Sequence, residues 1–101
     1  KTAIILDDMI DTAGTLVVAV EALVSQGFSD VVCIATHGIL SAPALERINK
    51  CHSLTGVLVS DSIDQTDHLA QCSKLHVFSI APLLSQAIYS IFTNASLSFL
   101  F

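Results

Sequence analysis

The amino-acid sequence predicts an α/β domain with three layers and a mainly parallel sheet. Four short, nearly continuous apolar runs are typical of buried parallel strands, and they span residues 3–6, 30–35, 56–60 and 75–78. Helical patterns over residues 14–26, 42–50 and 80–92 alternate with these runs. Parallel strands need crossover connections, and these crossovers are right-handed, so helices are expected on the faces of the sheet.

The first predicted strand, Ala3–Leu6, is followed by Asp7-Asp8-Met9-Ile10-Asp11-Thr12-Ala13-Gly14-Thr15, which contains three carboxylates, two hydroxyls and a glycine. This segment is expected to join the carboxyl end of a strand to the amino end of a helix, where unpartnered N–H groups and the helix dipole attract an anion. Amides and hydroxyls of residues 11–15 suit a phosphate, whereas Asp7 and Asp8 suit sugar hydroxyls or a hydrated Mg²⁺. We therefore predict a site for ribose 5-phosphate chemistry.

The same segment allows two other interpretations. A P-loop has a lysine after its glycine, but here Gly14 is followed by Thr15 and leucine, so this loop alone is not expected to hold a polyphosphate. Alternatively, Asp11 or Thr12 caps the helix while the preceding carboxylates are merely solvated. Acidic caps are common, so the residues alone leave this second alternative open.

Further polar residues follow the next predicted strands. Thr36-His37-Gly38 and Asp61 come directly after apolar runs and are expected at the same edge of the sheet as Asp7. His37 has two interpretations: a residue near a nucleotide or subunit contact, or a loop histidine bonded to backbone while Gly38 permits a turn.

Composition limits the classes of partner. The 101 residues suit one small domain, and 52% apolar against 13% charged residues suggests that extra apolar surface meets another domain or subunit. The formal charge is −5 and the four basic residues form no stripe, so binding to nucleic acid or an anionic membrane is not expected. No apolar stretch is long enough to span a bilayer, which favours a cytoplasmic protein.

Three cysteines, Cys33, Cys51 and Cys72, lack a C-x-x-C spacing, which argues against a disulfide framework or a zinc site. Reduced, partly buried thiols are expected. His68 and Cys72 are spaced for one helix face, but no second ligand pair accompanies them, so a metal site there is not favoured.

The run IILDDMIDTAGT resembles the loop that binds phosphoribosyl diphosphate in type I phosphoribosyltransferases and ribose-phosphate diphosphokinases. Further matches extend this resemblance along all 101 residues and are similar to the carboxyl-terminal third of ribose-phosphate diphosphokinase, also called phosphoribosyl-pyrophosphate synthetase. The matching segments are Ala35-Thr36-His37-Gly38-Ile39-Leu40-Ser41, Arg47-Ile48-Asn49, Val59-Ser60-Asp61-Ser62-Ile63, Cys72-Ser73-Lys74, and the stretch from Ala87 to Phe101. The resemblance implies a fold of the type I phosphoribosyltransferase kind. Residues 1–101 would be part of its carboxyl-terminal domain, with an amino-terminal domain and the start of this domain absent.

The resemblance also implies an activity and a set of contacts. The intact protein would transfer the diphosphoryl group of ATP to ribose 5-phosphate, with Mg²⁺ as cofactor, and would form a homo-oligomer. Catalytic and ATP-binding residues would lie upstream, so this chain alone would be inactive. The contacts carried over are Asp7 and Asp8 to the ribose or its metal, and Asp11, Thr12, Ala13, Gly14 and Thr15 to the 5′-phosphate.

The resemblance further implies a regulatory site for a phosphate or nucleoside diphosphate at a subunit interface, formed by Ser96, Leu97, Ser98 and Phe101. A frayed, serine-bearing terminus is an equally plain interpretation of this tail. The chain departs from the family at Asp64, where proline is common, and at Tyr89-Ser90, where a basic pair is usual.

Two alternatives to a catalytic diphosphokinase stay open. One is a non-catalytic associated subunit with the same fold, and the other is a type I phosphoribosyltransferase. The intact acidic loop favours the enzyme over the associated subunit. A phosphoribosyltransferase would need a hood that recognises the base, which no part of this chain supplies.

Overall fold

Residues 1–100 are described by a computed structural model, in which four parallel strands form one sheet in the order β1-β2-β3-β4. Helices follow each strand, so the predicted α/β class and parallel sheet are confirmed. The strands are β1 (Thr2–Ile10), β2 (Asp30–Gly38), β3 (Leu54–Ser60) and β4 (Leu75–Phe78). The helices are α1 (Gly14–Ser25), α2 (Ala44–Lys50), α3 (Thr66–Leu69) and α4 (Ala81–Phe92), followed by a 3₁₀ turn at Ser98–Leu100.

The core lies between one face of the sheet and helices α1 and α2. Alternate residues of the two central strands are buried there, because successive side chains of a strand point to opposite faces. Helix α1 contributes Leu16 and Val20 to this core, and α2 contributes Ala44 and Ile48. The buried strand residues are Val31, Cys33 and Ala35 of β2 with Val57 and Val59 of β3.

The opposite face of the sheet is largely open within the described residues. Ile4 and Leu6 of β1 are 63% and 74% exposed, and their partners in β2, Val32 and Ile34, are half-buried. Helix α4 is also exposed along most of its length. Helices α1 and α2 form the helical layer that covers the other, buried face of the sheet.

Several element boundaries differ from the sequence-based expectation. Strand β1 continues to Ile10 because parallel pairing with β2 persists through Asp7 opposite Ala35 and Met9 opposite His37. Asp7, Asp8 and His37 therefore lie at strand ends rather than in loops. Helix α2 begins two residues later than expected, and the one-turn helix α3 was not predicted, because four residues are too few to show a helical period.

Among the described residues, no helix combines the length and the apolar character needed to cross a membrane.

Candidate functional site

A cleft of about 300 Å³ lies where β1 ends and α1 begins. Its walls come from the end of β1, the connecting loop and the first turn of the helix, with one residue from β2 at its base. Every residue that the sequence predicted to bind substrate lines this cleft except Gly14. The lining residues are Asp7, Asp8, Met9, Ile10, Asp11, Thr12, Ala13, Thr15, Leu16 and Cys33.

The loop turns into helix α1 through a left-handed residue. Ala13 has φ of 66°, and its carbonyl accepts the first helical hydrogen bond, from the N–H of Val17 at 3.1 Å. No side chain caps the helix, so the alternative that Asp11 or Thr12 serves as an N-cap is wrong. Within the described residues, the N–H groups of residues 13–16 find no acceptor. This end of α1 therefore presents the unpartnered donors and the positive dipole end that suit an anion.

Hydrogen bonds from the connection between β2 and α2, and from α2 itself, hold the loop in this shape. The carbonyl of Ile10 accepts hydrogen bonds from the N–H groups of Ile39 and Leu40, at 3.0 and 3.1 Å. The carbonyl of Thr12 accepts a hydrogen bond from Nη1 of Arg47 at 3.0 Å. The carbonyls of Ile10 and Thr12 thus both accept hydrogen bonds from residues 39–47, more than twenty-five residues later in the chain. The sequence analysis did not predict this support.

The acidic pair is exposed at the mouth of the cleft. Oδ1 of Asp7 accepts the N–H of Asp8, and Oδ1 of Asp8 accepts the N–H of Met9, both at 2.8 Å. Hydrogen bonding with the Asp7 side chain and then with the Met9 N–H holds the pKa of Asp8 below its ordinary value. Asp8 is therefore ionised at neutral pH, and each carboxylate has a second oxygen for other partners.

The donor set fits Mg²⁺ bound together with a substrate. Among residues 1–100, no cluster of three or more His, Cys, Asp or Glu side chains is placed to hold a metal ion. Mg²⁺ is commonly held by one or two carboxylates while water and substrate oxygens complete its coordination. Asp7 and Asp8 provide such a pair, so they would hold the ion only with a ligand present.

Cys33 lies at the base of the cleft and is almost fully buried. Burial, and then the negative charge of Asp7, raise the pKa of its thiol to about 11. The thiol is therefore neutral at physiological pH and unreactive as a nucleophile. Sequence reasoning had predicted a buried cysteine but had not placed it beneath the acidic pair.

His37 lies beside the cleft at the end of β2. Its Nδ1 is 2.7 Å from Oγ of Ser62, so the ring pairs with a side chain rather than with backbone. Its Coulombic effect on the pKa of Asp8 is a smaller lowering than those of the Asp7 side chain and the Met9 N–H.

Gly38 does not form the expected turn, because it is the last residue of β2 and Leu40 instead has the positive φ, 53°. A glycine is needed there for close packing. A Cβ atom at this position would lie 3.0–3.1 Å from the side chains of Val59 and Gln65.

Two aspartates that the sequence analysis singled out accept hydrogen bonds from N–H groups at the starts of helices. Oδ1 of Asp61 accepts the N–H of Ile80 at 2.9 Å, and this bond, with one from Ser79, lowers its pKa. Oδ1 of Asp64 accepts the hydroxyl of Thr66 at 2.6 Å and its N–H at 3.0 Å, which likewise lowers its pKa. Asp64, which departs from the family pattern, thus supports the start of α3.

The tail residues lie away from this cleft. Ser96, Leu97 and Ser98 follow α4, and Oγ of Ser96 accepts the N–H of Ser98 at 3.0 Å. Phe101, the fourth residue of the predicted regulatory site, lies outside the described residues. A regulatory role for this tail stays a prediction.

The chain belongs to the family of phosphoribosyl synthetase-associated domains, whose model matches residues 1–101. Relatives with enzyme names cover the whole chain. It is 42% identical to ribose-phosphate pyrophosphokinase A of Dictyostelium discoideum and 43% identical to ribose-phosphate pyrophosphokinase of Bacillus cereus, in each case over all 101 residues. The chain spans about a third of the length of these relatives, 32% and 31%.

A solved structure is similar to this chain in both fold and sequence. The crystal structure of phosphoribosylpyrophosphate synthetase from Mycobacterium smegmatis superimposes with a TM-score of 0.86 at 43% identity. The match covers 94% of this chain and 31% of that protein. The resemblance stated from sequence motifs is therefore confirmed.

Proposed function

We propose that the intact protein is a ribose-phosphate diphosphokinase, and that this segment supplies its ribose 5-phosphate site. The reaction would transfer the diphosphoryl group of ATP to the anomeric hydroxyl of ribose 5-phosphate, giving 5-phosphoribosyl 1-diphosphate and AMP for nucleotide biosynthesis. The observation that carries this proposal is the cleft itself, with unpartnered N–H groups at one side and an acidic pair at the other. Identity of 42–43% to proteins named ribose-phosphate pyrophosphokinase supports the choice of reaction.

Each group in the cleft has a proposed role. The N–H groups of residues 13–15 and the hydroxyls of Thr12 and Thr15 donate to the 5′-phosphate, since phosphate oxygens are acceptors. Asp11 completes the wall of this cradle. Asp7 and Asp8 accept hydrogen bonds from ribose hydroxyls and share in holding Mg²⁺, which when bound neutralises negative charge beside the phosphorylated sugar.

The donor half of the reaction is proposed to lie outside this segment. In-line transfer of a diphosphoryl group needs cations around the triphosphate, and the four basic residues here are scattered. Residues 1–101 are thus proposed as part of the carboxyl-terminal domain of a longer enzyme, inactive by themselves. A homo-oligomer and a cytoplasmic location remain predictions.

The complete acidic loop is what favours a catalytic enzyme over the alternatives. A non-catalytic associated subunit would keep the fold without needing every acid and hydroxyl of residues 7–15. A phosphoribosyltransferase would require a hood that recognises its base, and the sequence of residues 1–101 predicts no such element.

Steady-state kinetics of the intact protein test the proposal. Thr15→Val removes one hydroxyl from the cradle, so we expect the KM for ribose 5-phosphate to rise while the KM for ATP changes little. Loss of a hydrogen bond to a charged group costs about 1.5–3 kcal/mol, which corresponds to a rise of about 10- to 150-fold. Thr2→Val, an exposed threonine at the opposite end of β1, is the matched control and should change neither constant. Equal changes in both KM values, or none, would remove the cradle from its proposed role.

A further inference from the structure

Arg47 is the basic residue that reaches the phosphate-binding loop. Its Nη1 donates to the carbonyl of Thr12 at 3.0 Å, from the middle of the seven-residue helix α2. The other three basic side chains in the described residues contact different parts of the fold: Lys1 lies over the Phe28 ring, Lys50 pairs with Glu46, and Lys74 caps the end of α2. The hydrogen bond from Arg47 to this loop therefore needs a separate explanation.

We propose that Arg47 is a positioning residue that sets the orientation of the N–H donors in the cleft. This inference rests on the proposed function. The carbonyl of Thr12 and the N–H of Ala13 belong to one peptide group, which is planar and trans, so they point in opposite directions. Because the carbonyl is directed at Arg47, the N–H of Ala13 is directed away from it, toward the side where the phosphate is proposed to bind.

The charge of Arg47 also strengthens the donor. A guanidinium that hydrogen-bonds to a carbonyl polarises the peptide group, and hydrogen bonds linked in this way reinforce one another. The effect of Arg47 on the phosphate would thus pass through the backbone and need no direct contact.

The conformation of the loop requires this support. Ala13 has φ of 66°, a left-handed conformation that costs a residue with a Cβ about 1–2 kcal/mol. The hydrogen bonds that the carbonyls of Ile10 and Thr12 accept offset that cost.

Gly14 is explained by the same contact. Its φ lies outside the left-handed region, so its backbone alone does not demand glycine. A Cβ atom at this position would lie 3.2 Å from Nη1 of Arg47, which is tighter than ordinary van der Waals contact. A side chain here would require the guanidinium to shift by a few tenths of an ångström, which would lengthen its hydrogen bond to the Thr12 carbonyl.

Calorimetric titration of the intact protein with ribose 5-phosphate, alongside kinetics, tests the role of Arg47. Arg47→Gln should raise the Kd for ribose 5-phosphate about tenfold, while the KM for ATP stays within about twofold of the unmodified protein. Lys50→Gln is the matched control, because it removes one positive charge from the same helix without touching the loop, and it should leave the Kd unchanged. Arg47→Lys should recover part of the loss, since an ammonium group can still donate to a carbonyl.

Gly14→Ala provides a second, independent measurement through a double-mutant cycle. It should weaken binding about tenfold when Arg47 is present but by less than about threefold in the Arg47→Gln protein, because the collision has been removed. Additive effects, an unchanged Kd in Arg47→Gln, or an equal loss for ATP would overturn the positioning role. Should Thr15→Val weaken ribose 5-phosphate binding while Arg47→Gln does not, the positioning role alone fails and the proposed function stands. Should neither variant alter binding, both fail.

Discussion

The carboxylates of Asp7 and Asp8 border the cleft in which we propose that a phosphate binds, and like charges repel. Two carboxylates beside a bound phosphate would therefore oppose the charge-assisted hydrogen bonds that the loop donates to it. A divalent ion or sugar hydroxyls between the groups would remove this conflict.

This charge balance predicts that ribose 5-phosphate binding depends on Mg²⁺. Titration calorimetry of the intact protein should give tighter binding with Mg²⁺ than with EDTA, and Asp8→Asn should shrink that difference. Asp30→Asn, which removes an exposed carboxylate at the far end of β2, serves as control and should leave the difference intact. Binding that is indifferent both to Mg²⁺ and to Asp8→Asn would indicate that the acidic pair is merely solvated.

The secondary-structure elements could be predicted where an apolar run covers the same residues as the backbone hydrogen bonds. They could not be predicted where the hydrogen bonds extend beyond the apolar run. The four strands were found because each contains a short, nearly continuous apolar run. The end of β1 was missed because Asp7 interrupts the apolar run, although its backbone remains paired with β2. Likewise, the loop at residues 11–15, which we propose as the phosphate cradle, could be picked out from the sequence, but its support by Arg47 joins positions 35 residues apart and leaves no local pattern.

Helix α2 illustrates a stabilising contact of this non-local kind. Nζ of Lys74 donates to the carbonyls of Ile48 and Cys51 at 2.9 and 2.7 Å, at the end of a helix only seven residues long. Carbonyls at a helix carboxyl end lack intrahelical partners, and a cation there also interacts favourably with the dipole. The half-buried Lys74 thereby fixes the helix that carries Arg47.

We expect Lys74→Met, which keeps most of the apolar stem, to lower the stability of the intact protein by about 1–2 kcal/mol. Lys50→Met is the matched control on an exposed surface, where the ion pair with Glu46 contributes at most about 0.5 kcal/mol. Thermal unfolding followed by circular dichroism compares the two variants. Equal midpoints for both would contradict a capping role for Lys74.

The described part of the molecule has two apolar surfaces without cover. Ile4 and Leu6 are exposed on one face of the sheet, and along α4 Ile88 and Phe92 are 66% and 88% exposed. Part of the high apolar content thus lies on exposed surfaces, which fits the expectation that another domain or subunit meets this segment. Pattern alone could not locate these surfaces, because an apolar strand reads the same whether one or both faces are covered.

These surfaces predict that the isolated 101-residue chain self-associates. Light scattering at tens of micromolar, roughly the range in which exposed apolar patches associate, should report species larger than a monomer. Leu6→Ser together with Ile88→Ser should reduce their size, whereas Thr2→Ser, at the edge of the same strand, should not. A monodisperse monomer of the unmodified chain would contradict the idea of a missing interface.

The central claim is that the cleft at the end of β1 holds the phosphate of ribose 5-phosphate. Its most direct test is a crystal structure of the intact protein with that sugar phosphate bound. The account predicts phosphate oxygens about 2.7–3.1 Å from the backbone nitrogens of residues 13–15, with the ribose hydroxyls toward Asp7 and Asp8. A sugar phosphate bound elsewhere, with these nitrogens facing only water, would contradict it.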